Sequence, residues 1–207
     1  MSDRSYGQYC GLARSLDTIG DRWNLLIVRE LLEGPLRYGE LAASLGGIAT
    51  NLLAGRLRSL ESAGVIERRP GVTSGVVYAL TPWGSGLREP IEALVRWSTP
   101  LMTSGRGGDA FEPRWLAVAL KALLRERTAT PPAELGLEVD GVFMTLRIGS
   151  DGPDVIIGSE HRPETVLTAE PEAVLGLAAG ALTVEQALAM GSVRGDRQVL
   201  DAVLVGA

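Results

Sequence analysis

The chain has 207 residues, 45% of them hydrophobic and 22% charged, and a formal net charge of −5 at pH 7. That hydrophobic share can fill a core and excludes extended disorder, and the length suits one large domain or two small ones. The acidity excludes a protein coated all over in positive charge, though not a local basic patch.

The charge is unevenly spread. Residues 1–100 carry 11 Arg against 10 acids, whereas 101–207 carry 9 Lys and Arg against 15 acids. A change of character halfway supports two domains. The single cysteine, Cys10, forbids an intramolecular disulfide and a Cys-rich zinc site; the single histidine, His161, forbids sites that need two imidazoles. No metal or cofactor is expected. The polar start Met1–Gln8 offers no apolar signal segment, and no run reaches the ~20 apolar residues of a spanning helix. The expected location is the cytoplasm.

Residues 9–33 read as two helical pieces. Leu12, Leu16 and Ile19 recur at helical spacing, Gly20 breaks the run, and Asp21 is placed to cap a second helix. Trp23, Leu26, Ile27, Leu31 and Leu32 form its apolar side, and Gly34-Pro35 ends it. A short helix from Tyr38 to Leu45, a Gly46-Gly47 turn and a helix from Thr50 to Ala63 make a helix-turn-helix. Val65–Glu67 and Val76–Leu80 read as strands on either side of a basic, Gly-rich loop, forming a wing over 68–76. Thr81-Pro82 opens a longer helix with Leu87, Ile91, Leu94 and Val95, ending near Pro100.

Thr99–Asp109 has linker composition, so the boundaries fall at 1–100, 101–110 and 111–207. Trp115, Leu116, Ala119, Leu120, Leu123 and Leu124 then mark an amphipathic helix. Leu135, Leu137 and Val139 alternate, Asp140-Gly141 supplies hairpin chemistry, and Val142, Met144, Leu146 and Ile148 alternate again. Ser150–Asp154 reads as a turn, and Val155–Gly158 and Thr165–Ala169 as strands. Three short helices follow, with Thr183 and Gln186 at capping-box spacing before the middle one. The fold class is α+β, a winged helix-turn-helix followed by an α+β domain.

On the helix over 50–63, Leu53, Leu57 and Leu60 form a buried stripe, with Asn51, Gly55, Arg58 and Ser62 opposite and Arg56 at the flank. Such a helix can enter the major groove, where Asn pairs with adenine and Arg with guanine. Thr50 shares its outward end. Arg37, Arg68 and Arg69, with Thr73 and Ser74 in the wing, suit phosphate contacts, which give affinity and register but no sequence readout. A solvated helix face with incidental arginines has the same periodicity; the wing favours DNA.

The residues also carry a resemblance. Tyr9–Leu41 (YCGLARSLDTIGDRWNLLIVRELLEGPLRYGEL), Gly47–Arg69 (GIATNLLAGRLRSLESAGVIERR) and Val77–Gly84 (VYALTPWG) resemble, in order, the HxlR family of winged-helix transcriptional regulators. The resemblance covers about residues 6–100. It implies a bacterial-type regulator that pairs as a homodimer, through the helices near Cys10–Ile19 and Pro82–Thr99, on a palindromic duplex operator. Family members often carry a long polar residue where this chain has Gly55 and a Lys near Asn51, so base readout here leans on fewer side chains. Cys10 stands where thiol-sensing members place a reactive cysteine; a small buried hydrophobe at the dimer interface is the other reading of it.

The second half has no phosphate loop, no dinucleotide fingerprint and no hydrolase or metalloprotease motif, so no enzyme is expected. His161 reads as a surface loop residue. Thr168–Asp196 (TAEPEAVLGLAAGALTVEQALAMGSVRGD) resembles the sterol carrier protein family, whose pattern is strand, acidic-start helix, Gly turn, E-x-A-L helix, short strand and Gly-Asp. This implies an α+β domain over 111–207 with an apolar tunnel for lipid-like molecules. Candidate lining residues are Trp115, Phe143, Met144, Leu146, Val174, Leu177, Leu188 and Met190, which would equally fill a solid core. The expected function is therefore a dimeric DNA-binding regulator answering to an apolar effector. Two alternatives stay open: a thiol- or electrophile-sensing regulator acting through Cys10, and a hydrophobic carrier without DNA function.

Overall fold

The computed structural model describes residues 5–72, 75–102 and 105–205. Backbone contacts gather the chain into two compact units, Met1–Ile91 and Glu92–Ala207.

The first unit begins with α1 (Gly11–Ile19), α2 (Asn24–Leu32), β1 (Leu36–Arg37), α3 (Tyr38–Ser44) and α4 (Thr50–Ser62). A three-stranded antiparallel sheet follows, with β2 (Ile66–Pro70) and β3 (Val76–Leu80) in the order β1-β3-β2. Leu53, Leu57 and Leu60 of α4 are fully buried, as are Ile27 and Val28 of α2 and Leu41 of α3. The expected stripe is thus the face of α4 that holds it to the unit. Strand β2 runs on through Arg68, Arg69 and Pro70, which pair with Tyr78, Val77 and Val76. Ladder pairing therefore claims residues whose composition reads as loop, and the wing narrows to its tip.

After β3, α5 (Pro82–Ser85) turns tightly against the start of β2. The Thr81 hydroxyl donates to the Gly64 carbonyl at 2.7 Å and accepts from the Gly84 N–H at 3.0 Å. A Cβ at Gly84 would lie 1.9 Å from the Val65 carbonyl oxygen, so only glycine fits there. The single helix expected from Pro82 is instead two, because α6 (Arg88–Ser98) starts afresh after Gly86-Leu87. Gly86 has low helix propensity, and Pro90 has no N–H to return to the Gly86 carbonyl. The Arg88 guanidinium donates to the Leu32 carbonyl at 2.7 Å and meets Glu33 at 3.3 Å, fixing the start of α6 on the end of α2. A 3-10 turn, Thr99–Met102, follows α6.

The second unit contains α7 (Pro113–Leu123), the strands β4 (Ala133–Val139), β5 (Val142–Gly149), β6 (Gly152–Ile157) and β7 (Val166–Ala169), then α8 (Pro171–Ala178), α9 (Val184–Leu188), β8 (Gly191–Arg194) and α10 (Arg197–Leu200). A π-helical turn, Asp201–Val205, continues α10. The sheet order is β6-β5-β4-β7-β8, antiparallel except for the parallel pair β4 and β7. The β4–β5 turn has positive φ at both Asp140 (51°) and Gly141 (75°), the conformation that an Asp-Gly pair favours. Strand β6 starts at Gly152, within the stretch read as a turn; its Pro153 is tolerated because β6 is an edge strand. The Thr183–Gln186 capping box is closed, with bonds of 3.2 and 2.9 Å.

One sheet face carries the core. Leu135, Leu137, Met144, Leu146 and Ile148 pack there with Leu116, Leu120 and Leu124 from α7 and just beyond it, Val174 and Leu177 from α8, and Leu200, Val203 and Leu204. On the other face the Phe143 ring lies across Gly136, where a Cβ would come within 2.9 Å of both Phe143 and Val166. The Arg162 guanidinium covers that ring at 3.5 Å, a cation–π contact. His161 Nε2 meets Glu134 at 2.9 Å beside it. Ahead of α7, the Arg106 N–H donates to Glu172 at 3.1 Å and its guanidinium lies 3.3 Å from Asp140 and 3.7 Å from Glu170.

Candidate nucleic-acid interface

Helix α4 is seated by its leucines and by Tyr38 of α3, whose hydroxyl donates to the Thr50 carbonyl at 2.9 Å. This leaves Thr50, Asn51, Arg58 and Ser62 exposed on one side, with Gly55 half-buried among them and open beyond its Cα. The Asn51 Oδ1 accepts from the Leu52 N–H at 2.9 Å, which leaves its NH₂ to donate outward. Arg58 makes no hydrogen bond or ion pair among the described residues and extends from the helix as an uncommitted guanidinium.

The other arginines differ. Arg56, expected at the flank of the groove face, pairs with Asp21 in the turn between α1 and α2. Arg68 donates to Glu61 at 2.8 Å, and Arg69 to Glu67 at 2.7 Å. The hydrogen bond that Arg68 donates to Glu61, and then the charge of that carboxylate, push the Arg68 pKa above its ordinary value, so that group stays cationic. Arg37 is exposed where β1 meets α3. Thr73 and Ser74 lie outside the described residues.

Apolar side chains also stand outside the core. Tyr9, Leu12 and Leu16 are exposed at α1, with Leu12 at 69%, and Leu94 and Trp97 are exposed on α6, with Trp97 at 75%. Cys10 is exposed at the N-cap of α1, and the Arg14 N–H donates to its carbonyl at 2.9 Å.

The candidate lining residues do not all come together. Met144, Leu146, Val174 and Leu177 share the buried core, with Leu188 packed against it. Trp115 is half-buried on α7. Phe143 stands on the opposite sheet face, as period-2 alternation with Met144 requires. Met190 is exposed in an open cleft of about 460 Å³ among Glu138, Asp140, Glu170 and Ser192. Among the described residues no group of three or more His, Cys, Asp or Glu side chains could hold a metal, and no helix is long and apolar enough to cross a membrane.

Asp21 does not cap α2 as the sequence suggests. The N-cap is Trp23 with no side-chain cap bond, because the turn aims the Asp21 carboxylate at Arg56. No site role was legible for Glu61 or Tyr38. The Glu67–Arg69 pair follows from the extension of β2, since i and i+2 share a strand face, whereas composition reads Arg69 as loop. Asp21 and Arg56 lie 35 positions apart, and no local pattern links them.

The pattern of the HxlR-like helix-turn-helix family matches residues 18–105. YtfH of Escherichia coli K12, an uncharacterized HTH-type transcriptional regulator, is 34% identical over 94 residues, covering 44% of this chain and 75% of the relative. The chain belongs to the HxlR-like helix-turn-helix family. Rv3095 of Mycobacterium tuberculosis, likewise an uncharacterized HTH-type transcriptional regulator, is 32% identical over 143 residues, covering 63% of this chain and 89% of the relative. The reduced form of YodB from Bacillus subtilis aligns as a solved structure at 31% identity over 47% of this chain and 99% of its own, with a TM-score of 0.41. By its family pattern and curated relatives this HxlR-like chain is a helix-turn-helix transcriptional regulator, and its first unit carries the helix-turn-helix with a wing of β2 and β3.

Proposed function

We propose that this HxlR-like regulator is a homodimer that sets α4 of each copy in the major groove of a palindromic duplex and answers to an apolar effector in its C-terminal domain. The observation that carries the groove assignment is the outward side of α4, where Asn51 and Arg58 present free donors between small neighbours. Arg37, Arg68 and Arg69 would take phosphates, as would Thr73 and Ser74, which fall between the two wing strands in the sequence. Such a protein works beside the chromosome, in the cytoplasm, and is no enzyme.

Pairing is supported by the apolar faces of α1 and α6, which the single chain leaves in solvent. A two-fold axis through them would space the half-sites about 34–36 Å apart. The domains would be 1–100 and 111–207, joined by 101–110. For the second, a sterol-carrier-like reading is supported by the order β7, acidic-start α8, Gly180 turn, α9, β8 and Gly195-Asp196. Met144, Leu146, Val174, Leu177 and Leu188 would then line the apolar ligand, with Trp115 at their margin. An effector that prefers one dimer geometry would change DNA affinity about 5–150-fold. A second reading, in which the signal is an electrophile, is favoured by the exposure of Cys10 at the head of α1.

Fluorescence anisotropy on labelled duplex from the upstream region of its own gene, with excess random DNA, tests the proposal. Binding that survives competitor is expected, with release by apolar ligands. Failure on that duplex and on tiled genomic fragments would favour a hydrophobic carrier. Release by electrophiles that Cys10→Ser abolishes would favour the thiol reading.

A further inference from the structure

Arg56 sits on the same helix as Arg58 and one residue from Gly55, at the edge of the face proposed to enter the groove, yet its guanidinium is committed to Asp21. Asp21 lies in the tight turn that joins α1 to α2. A Cβ at Gly20 would come 2.5 Å from the Leu16 carbonyl oxygen, and the Asp21 carbonyl accepts the Asn24 N–H at 2.9 Å. The backbone from which the carboxylate projects is thus fixed in the turn. Its side chain is 54% exposed and that of Arg56 27%, so the pair sits at the rim, open to solvent and to an approaching duplex. Arg22, the next residue, is exposed as well.

We propose that Asp21 acts as an internal stand-in for a DNA phosphate: it holds the Arg56 guanidinium when the protein is free and yields it to the backbone when α4 enters the groove. This inference rests on the DNA-binding reading and adds a residue that sets selectivity. Phosphate attraction carries binding to any sequence, and each neutralised phosphate contributes about −0.9 to the slope of log affinity against log salt on duplex DNA. Exchanging a carboxylate for a phosphate leaves Arg56 neutralised before and after. Its phosphate contact then adds almost nothing to binding on random DNA, and base contacts from Asn51 and Arg58 count for more. Arg68 with Glu61 and Arg69 with Glu67 place further acids beside basic residues of the wing strand. Asp21 differs because its partner projects from α4 itself.

The test is a salt series of anisotropy titrations on a random-sequence duplex with wild type, Asp21→Asn, Arg56→Gln and the double variant. Asp21→Asn should bind random duplex about 2–5-fold more tightly, the range set by breaking an exposed ion pair, and steepen the salt slope by about 0.9. Arg56→Gln alone should leave the slope near wild type, and in the double variant it should cancel the gain. An unchanged slope in Asp21→Asn, or weaker binding with a lowered melting temperature, would show Asp21 to be only a strut for α4 and overturn the inference. If wild type and all three variants failed to bind any duplex, the DNA reading itself would fall, and this inference with it.

Discussion

Along the winged helix and its flanking helices, Tyr9, Leu12, Leu16, Trp83, Leu94 and Trp97 stand in solvent, and arginines reach across elements to acids such as Asp21 and Glu33. From residue 105 to 205 the large hydrophobic side chains left exposed are Ile156, Met190 and Val205, and the leucines of α7, β4 and β5 close on one another. The first region leaves apolar and charged groups at its surface, where the proposed contacts with DNA and a second copy would be made. The second turns its apolar side chains inward and keeps an open polar cleft at its edge. Substitutions in the two regions should therefore separate loss of function from loss of fold.

The largest effect belongs to the interior of the sheet domain. Leu137 is fully buried at the centre of β4, and Leu137→Ala should cost about 2–5 kcal/mol in chemical denaturation. A cost under about 1 kcal/mol would mean that the helix–sheet space is not packed as described. On the other side of the comparison, Leu12→Asp with Leu16→Asp should yield monomers in sedimentation at micromolar concentration while the melting temperature of the monomer fold is kept. Persistence of the dimer would remove α1 from the interface.

Arg58→Ala should lose about 1–3 kcal/mol of discrimination between operator and random duplex, with little change in stability. Equal loss on both duplexes would make Arg58 a phosphate contact. The smallest effect is at Gly55, where a Cβ meets nothing within 4 Å. Gly55→Ala should stabilise the protein by about 1 kcal/mol in thermal or urea unfolding, because alanine is the better helix former. Destabilisation there would show that the outward face of α4 is crowded.

Much of the first region was legible in the residues. Gly34-Pro35, Gly46-Gly47 and Gly64 punctuate the helices, and Leu53, Leu57 and Leu60 declare the buried side of α4. The same periodicity cannot tell a face turned to the chain's own core from one left in solvent, and Leu12, Leu16 and Leu94 are of the second kind. Strand β2 outran its expected end because pairing with β3 outweighs the turn tendency of Arg-Arg-Pro. The commitment of Arg56 was invisible for a different reason, since it depends on tertiary placement of a turn 35 residues away. In the second region the hairpin and the capping box were read correctly. Phe143 and Met144 could have been assigned to opposite faces from alternation alone.

The most direct test of the central claim is a hydroxyl-radical footprint of the wild-type protein on its selected duplex, beside Arg58→Ala. Two α4 helices related by a two-fold axis should protect two patches about 10–10.5 base pairs apart, and Arg58→Ala should fade both together. A single patch, or continuous protection without phase, would contradict a dimer that reads successive major grooves through α4.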